Sequence, residues 1–570
     1  VTIHSPESSE SAWWRHAVIY QVYPRSFADS DGDGVGDLPG ITSRLPYLAG
    51  LGVDAIWISP FYVSPMADAG YDVADYRDVD PLFGTLADAD TLIARAHELG
   101  IRVVVDLVPN HTSDEHAWFR AALAAGPGSP ERERYLFRDG RGEGGAEPPT
   151  NWRSVFGGSA WTRVTEADGA PGQWYLNLFD SKQPDLNWNH PEVVEEFLSI
   201  LRFWLDRGVD GFRVDVAHAL VKDPAMPDWE DRAVMAGGEG DAEHNLGPMW
   251  DQDGVHEIYR GWREVLDSYN PEGDPQRDRI LVAEAWLPTQ RRTMRYVRPD
   301  EMHQAFNFHF LENPWTAEDL RTVIDRSLEA ADEVGAPTTW VLSNHDVVRH
   351  ASRLGLVQDG KRPNGIGPDS VQPNVVLGLR RARAATALML GLPGSAYLYN
   401  GEELGLPEHT ALPGHVRQDP AFRRTQGEEV GRDGCRIPLP WSADEPAYGF
   451  SGGLESEPWL PQPLLYGLFA ADRQQGVPGS TLELYRTLLR LRREHDLGVG
   501  GLEWLEELGG VPVAPQVLAF RNARQDGTPV TVVTNLGEEP VTLPEDLRVL
   551  VCSGQLHRGT IHQDTTVWLA

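Results

Sequence analysis

Apolar and polar positions along this chain alternate between two periods. Short apolar runs that suit buried strands are separated by stretches with apolar residues at helical spacing. The first strand is predicted at Ala17 to Tyr23. A helix over Ile41 to Leu51 leads to a second strand at Asp54 to Pro60. A helix over Leu86 to Leu99 leads to a third at Arg102 to Leu107. Val193, Phe197, Leu201 and Trp204 recur at helical spacing behind Pro191, with Asn189 near the cap and Gly208 as the stop. The fourth strand lies in Gly211 to His218, the fifth at Arg279 to Ala283 and the sixth at Gln304 to Phe310. The seventh spans Thr338 to Leu342 and the eighth Gly394 to Leu398; Leu482 to His495 reads as the last helix. Strands alternating with helices predict a parallel sheet covered on both faces, and eight of them predict a closed (β/α)8 barrel.

The alternation lapses in three places. From about Thr112 to Lys182 the chain is loop-like and aromatic, with Trp118, Trp152, Phe156, Trp161 and Trp174. Long excursions of this kind are usually functional, and this one predicts a small domain inserted after the third strand. Lys222 to Gly247 is an acidic, irregular loop. From about Leu502 the pattern becomes short alternating strands, such as Val517 to Phe520 and Val530 to Val533, which predict a C-terminal antiparallel β domain. The organisation expected is barrel over 1–111, inserted domain over 112–185, barrel again over 186–498, and the β domain over 499–570.

Composition narrows the function. The 570 residues hold 50 Lys+Arg against 85 Asp+Glu, a formal charge of −35, and that surface argues against a nucleic-acid partner. With only Cys435 and Cys552, no disulfide framework is implied and a reducing compartment is suitable. The apolar run from Ala384 to Tyr399 is broken by Gly391, Pro393 and Gly394, so no membrane span is expected. Residues 1–11 lack a signal-peptide core, and the expected location is the cytoplasm. The chain starts with valine, which leaves a removed leader open.

Candidate chemistry gathers where a barrel keeps its active site, at the carboxyl ends of the strands. Asp106, His111, Arg213, Asp215, Glu284, His345 and Asp346 all fall there, from four different strands. Asp106 has two readings, a site residue or an organiser of the loop around Asn110. Arg213 and Asp215 are two residues apart on a strand and so share a face; the arginine is expected to keep Asp215 ionised. Two carboxyls flanking one bond suit glycoside hydrolysis, one attacking and one protonating the leaving oxygen, and a third acid favours a protonated neighbour. A separate loop, Asp29 to Asp37, spaces Asp29, Asp31, Asp33 and Asp37 among small residues, with the Val35 carbonyl as a further ligand. It resembles part of a calcium loop, but Gly40 stands where an EF-hand has glutamate. Structural Ca2+ is expected, with Mg2+ as the alternative, and no organic cofactor.

These residues identify a resemblance. Asp106-Leu-Val-Pro-Asn-His111, Gly211-Phe-Arg-Val-Asp215, Glu284-Ala-Trp286 and Ser343-Asn-His-Asp346 resemble, in order, the motifs of the α-amylase family of glycoside hydrolases. Gln183-Pro-Asp-Leu-Asn187 resembles the marker of its α-glucosidase and oligo-1,6-glucosidase branch. The resemblance implies Asp215 as nucleophile, Glu284 as acid/base and Asp346 as transition-state stabiliser. It implies substrate contacts from Asp68, Tyr71, His111, Phe156, Gln183, Arg213, His345 and Arg436, with Asp68 and Arg436 closing the pocket around one glucose. It also likens the Asp29 to Asp37 loop to the branch's metal site. Asn177, Leu439-Pro440 and Val216 bear on the linkage cleaved, and Val216 leans toward α-1,6 bonds. The expected protein is a retaining exo-α-glucosidase acting on short oligosaccharides, as a monomer or small homo-oligomer. The rivals are a transglucosidase or glucosyl isomerase of the same architecture, and a non-catalytic binding or chaperone-like member.

Overall fold

Eight short parallel strands organise the described residues: β1 (Val18–Val22), β2 (Ala55–Ile58), β3 (Arg102–Leu107), β4 (Gly211–Val214), β5 (Ile280–Ala283), β6 (Gln304–Ala305), β7 (Thr339–Val341) and β8 (Ser395–Tyr399). Their hydrogen-bonded order is β6-β5-β4-β3-β2-β1-β8-β7. A parallel bridge between Phe306 and Thr339, with the Asn307 N–H donating to the Thr339 carbonyl at 2.9 Å, joins β6 to β7 and closes the barrel. The computed structural model describes residues 2–7, 11–230, 247–359, 363–453, 457–524 and 527–570; much of the predicted 222–247 loop lies outside them.

Strand alternation builds two layers of core. Ile19, Ala55, Trp57, Val104, Val282, Phe306, Val341 and Tyr397 pack as one cluster inside the barrel. Their sequence neighbours Tyr20, Ile56, Val103, Val105, Leu281 and Leu398 join the larger core beneath the helices. Local chemistry sets the helix starts. Asp37 caps Leu38–Leu51 by accepting from the Gly40 N–H at 2.6 Å, and Thr85 and Asp88 form a reciprocal capping box before Leu86–Glu98. The helix Pro191–Asp206 is capped by His190, not by Asn189.

Two elements differ from the pattern reading. The sixth strand is only Gln304–Ala305, because the Asn307 side chain accepts from the Phe310 N–H at 3.0 Å and starts a helix, Phe308–Glu312. An apolar run of that length does not by itself separate strand from buried helix. The strand Thr2–His4 pairs with Gly501–Trp504 at the edge of the C-terminal six-stranded sheet, although the pattern places the N-terminus with the barrel. Three residues are too few to carry a period.

Between β3 and β4, the strands Phe137–Arg138, Trp161–Thr165 and Pro171–Leu176 form a small antiparallel sheet. Its aromatic core, with Trp152, Trp161 and Phe179, continues onto Val216 and Ala219 just beyond β4. The excursion therefore packs on the barrel rim.

Gly211 is the point where β4 and β5 approach too closely for a side chain. A Cβ there would lie 2.5 Å from both the Ile280 carbonyl oxygen and its Cγ1. Gly211→Ala is expected to lower stability by about 1–3 kcal/mol, read as a drop in thermal midpoint at a fixed scan rate.

Candidate active site

β3 and β4 are in register at Asp106 and Arg213, which sets the site's central ion pair. Arg213 Nη1 donates to Asp106 Oδ1 at 2.9 Å and to Asp215 Oδ1 at 2.7 Å, while Nη2 donates to Glu284 Oε2 at 2.5 Å. Three strands thus present their acids to one buried guanidinium. Asp106 also accepts from Trp57 Nε1 at 3.1 Å and from the Tyr71 hydroxyl at 3.0 Å. The guanidinium lies 4.9 Å over the Trp57 ring and 5.6 Å over that of Tyr71. Asp106 therefore belongs to the site, where it holds Arg213, and does not organise the loop around Asn110. Asn110 instead contacts Asp185 at 3.1 Å and Lys222 at 2.6 Å.

Charge here departs from the expectation that Arg213 alone would keep Asp215 ionised. Burial pushes the Asp215 carboxyl well up; Arg213 opposes it, but Glu284, Asp106 and Asp346 add to the rise. One cation serves three acids, so it cannot neutralise each. Burial likewise raises Asp106, to about 7. Asp346 goes the other way. Burial opposes its charge, but His345, Arg432 and Arg436 outweigh burial and hold it below the usual carboxylate range. Burial also keeps His345 neutral, so we assign this effect to the two guanidiniums. They reach Asp346 Oδ1 at 2.9 Å from Arg432 and 3.1 Å from Arg436. The His345 imidazole lies 3.2 Å from Oδ2 as a neutral partner.

Above this cluster opens a narrow pocket whose free volume is about 20 Å³, the space of about one water molecule. Asp215 and Asp346 are on its wall, with Asp68, Tyr71, His111 and His345. Phe156 and Phe179 come from the inserted segment. The His345 ring stacks on Tyr71, with centroids 5.2 Å apart and planes 2° apart. Gln183 Nε2 donates to Asp68 Oδ2 at 3.1 Å and to the Tyr71 carbonyl at 3.2 Å, and lies 3.1 Å from His111. Gln183, Arg213, Glu284 and Arg436 each hydrogen-bond to a residue that lines the pocket.

The arginine that meets Asp68 is Arg432, at 2.9 Å, and not Arg436. Arg436 donates through Nε to the His345 carbonyl at 2.8 Å and turns its remaining charge on Asp346. Arg432 also pairs with Asp419 at 2.6 Å and sits 5.0 Å over the Phe156 ring. The two arginines are four residues apart, and nothing in their spacing distinguishes them. Arg432, Asp419 and Phe179 were missed by sequence reasoning. Val216 lines the pocket with φ of +36°, a strained value for a β-branched residue, while Asn177 and Leu439 are buried away from those walls.

The acidic loop is narrower as a metal site than its spacing suggests. Side-chain oxygens of Asp29, Asp31 and Asp37 all lie within 4.8 Å of one another. Asp33 is outside this group, and its carboxylate accepts from the Val35 N–H at 2.8 Å.

A family model described as the alpha amylase catalytic domain matches residues 21–501. A probable alpha-glucosidase of Rhizobium meliloti is 39% identical over 515 residues, covering 88% of this chain and 86% of that protein. An oligo-1,6-glucosidase of Parageobacillus thermoglucosidasius is 35% identical over 524 residues, covering 86% and 85%. Among solved structures, the alpha-glucosyl transfer enzyme XgtA superposes with a TM-score of 0.82 at 37% identity, covering 98% of this chain and 99% of its own.

Lys222 ties the inserted segment to the rim. Its ammonium lies 2.9 Å from Asp185, and both side chains are almost wholly buried. Lys222→Met strands the Asp185 charge and is expected to cost about 3–5 kcal/mol, measured by urea unfolding, with loss of the pocket's inserted wall.

Proposed function

The chain belongs to the α-amylase family of glycoside hydrolases, and from that premise we propose a retaining exo-α-glucosidase that frees terminal α-linked glucose from short oligosaccharides. The observation that carries this reading is the single Arg213 guanidinium joined to both Asp215 and Glu284. One shared guanidinium brings both carboxyls to a single site, as the retaining route needs, with one attacking and the other passing a proton. With the proton of this coupled cluster on Glu284, Asp215 attacks the anomeric carbon as the carboxylate, and Glu284 protonates the departing oxygen. Asp346, held ionised by its two arginines, stabilises the positive charge that develops on the sugar. Water activated by Glu284 then opens the β-glucosyl–Asp215 ester and releases α-glucose.

Release of one glucose at a time is supported by the closed end of the pocket. Arg432 pairs with Asp68 there, and Arg424 donates to the Gly157 carbonyl of the inserted segment at 2.7 Å. Tyr71, His111, Phe156 and His345 would hold the sugar, with Gln183 acting through Asp68 and His111 and Arg436 through Asp346. Val216 on the wall favours acceptance of α-1,6 bonds beside α-1,4. A second reading, transfer of the glucosyl group to another sugar, is favoured by the likeness to XgtA, an alpha-glucosyl transfer enzyme. It uses the same intermediate.

Asp29, Asp31 and Asp37 would hold a Ca2+, or Mg2+, with the Val35 carbonyl as a further ligand. All-oxygen donors suit either ion, and the cation would offset three crowded acids. Its role is structural: the Asp29 N–H already donates to the Phe450 carbonyl at 2.9 Å, tying this loop to the segment after β8. Among the described residues no helix is long and apolar enough to cross a membrane. Free Cys435 and Cys552 suit a reducing compartment, and we place the protein in the cytoplasm as a monomer or small homo-oligomer.

Asp215→Asn is expected to lower kcat at least about 10⁴-fold on maltose and isomaltose, with fold retained by circular dichroism; normal turnover would sink the assignment. Products from maltose separate the two readings, glucose alone for hydrolysis and new oligosaccharides for transfer. Chelation with EDTA is expected to lower the thermal midpoint, with recovery on adding Ca2+.

A further inference from the structure

The two oxygens of Glu284 have unequal surroundings. Oε2 accepts from Arg213 Nη2 at 2.5 Å and from the Val216 N–H at 3.1 Å. Oε1 accepts from the Trp286 indole N–H at 3.0 Å. Each carboxyl oxygen offers about two lone-pair directions, so these bonds fill Oε2 and leave one open on Oε1. The indole is itself fixed. Its ring lies face to face on Phe308, with centroids 3.6 Å apart and planes 4° apart. Phe308 opens the short helix that Asn307 caps beyond β6.

We propose that Trp286 is a positioning residue that sets the plane of the Glu284 carboxyl and makes Oε1 the oxygen that carries the acid's proton. The inference rests on the acid/base role given to Glu284 above. In the first step the Asp215 carboxylate supplies an electron pair to the anomeric carbon. The glycosidic bond breaks, its pair goes to the leaving oxygen, and that oxygen takes the proton from Oε1. Trp286 touches neither substrate nor reacting atom; it acts through Glu284, and Phe308 acts through Trp286.

A change that disturbs only proton delivery should depend on the leaving group. Maltose needs a protonated leaving oxygen, whereas α-glucosyl fluoride departs with little help. Trp286→Phe keeps an aromatic ring for Phe308 and removes the indole N–H. Its kcat/KM on maltose is expected to fall about 10- to 100-fold, as for a lost hydrogen bond to a charged group, with less than about a threefold change on the fluoride. Equal losses on both substrates, or no loss on maltose, would overturn the proposal. Phe308→Leu keeps the indole and removes its support; it should show the same selectivity at smaller size, and an unselective or absent effect would count against the proposal. Glu284→Gln, assayed in parallel, reads the premise separately. Equal loss on both substrates in that variant would remove the acid/base assignment itself, and the role of Trp286 with it.

Discussion

A single buried cation holds this site together. Arg213 projects from β4 among Asp106, Asp215 and Glu284, and its guanidinium is almost wholly out of solvent. Removing a charge from water is costly unless partners repay it. The partners are acids on β3, at the end of β4 and just beyond β5, so the electrostatics require those strands to be adjacent and in register. Trp57 and Tyr71 complete the cage, one from β2 and one from the loop after it. The barrel supplies the rigid frame that keeps four mutually repelling carboxyls near each other.

The inserted segment and the chain after β8 turn that reactive floor into a pocket. Phe156, Phe179 and Gln183 approach from one side, and Arg432 from the other. Lys222 and Asp185 anchor the insertion by a buried ion pair, and Arg432 links the two sides through Asp68 and Asp346. The polar groups that would hold a sugar are therefore also the groups that hold the walls together. A pocket walled on both sides in this way is closed behind the acids, which connects its architecture with exo action.

Much of the fold was legible because its signals are local. Strand runs such as Arg102 to Leu107 and helices such as Pro191–Asp206 carry their period in their own residues. Departures from the pattern arose where a particular contact, near or far along the chain, decides the outcome. Arg436 was expected to close the pocket with Asp68, but Arg432 occupies that place. Asp33 has the spacing of a ligand, while the oxygens that gather are those of Asp29, Asp31 and Asp37. Phe308 and Phe310 extend an apolar run that reads as strand, until the Asn307 side chain caps a helix across it. Thr2–His4 is too short to show any pattern, and only the free edge at Gly501–Trp504 makes it a strand.

By itself the sequence determined the alternating elements, the order of the acids at their ends and the chemistry those acids can perform, since these depend on residue type and near neighbours. It placed Arg213 and Asp215 on one face because a strand has a period of two. Tertiary structure alone decided how charge is shared. Whether Asp215 is held down or pushed up depends on how many carboxyls one buried arginine must serve, and that number is set by Asp106, Glu284 and Asp346 arriving from other strands. Electrostatic energy depends on distance through space and on exclusion of water, and neither is written in the spacing of residues along a chain.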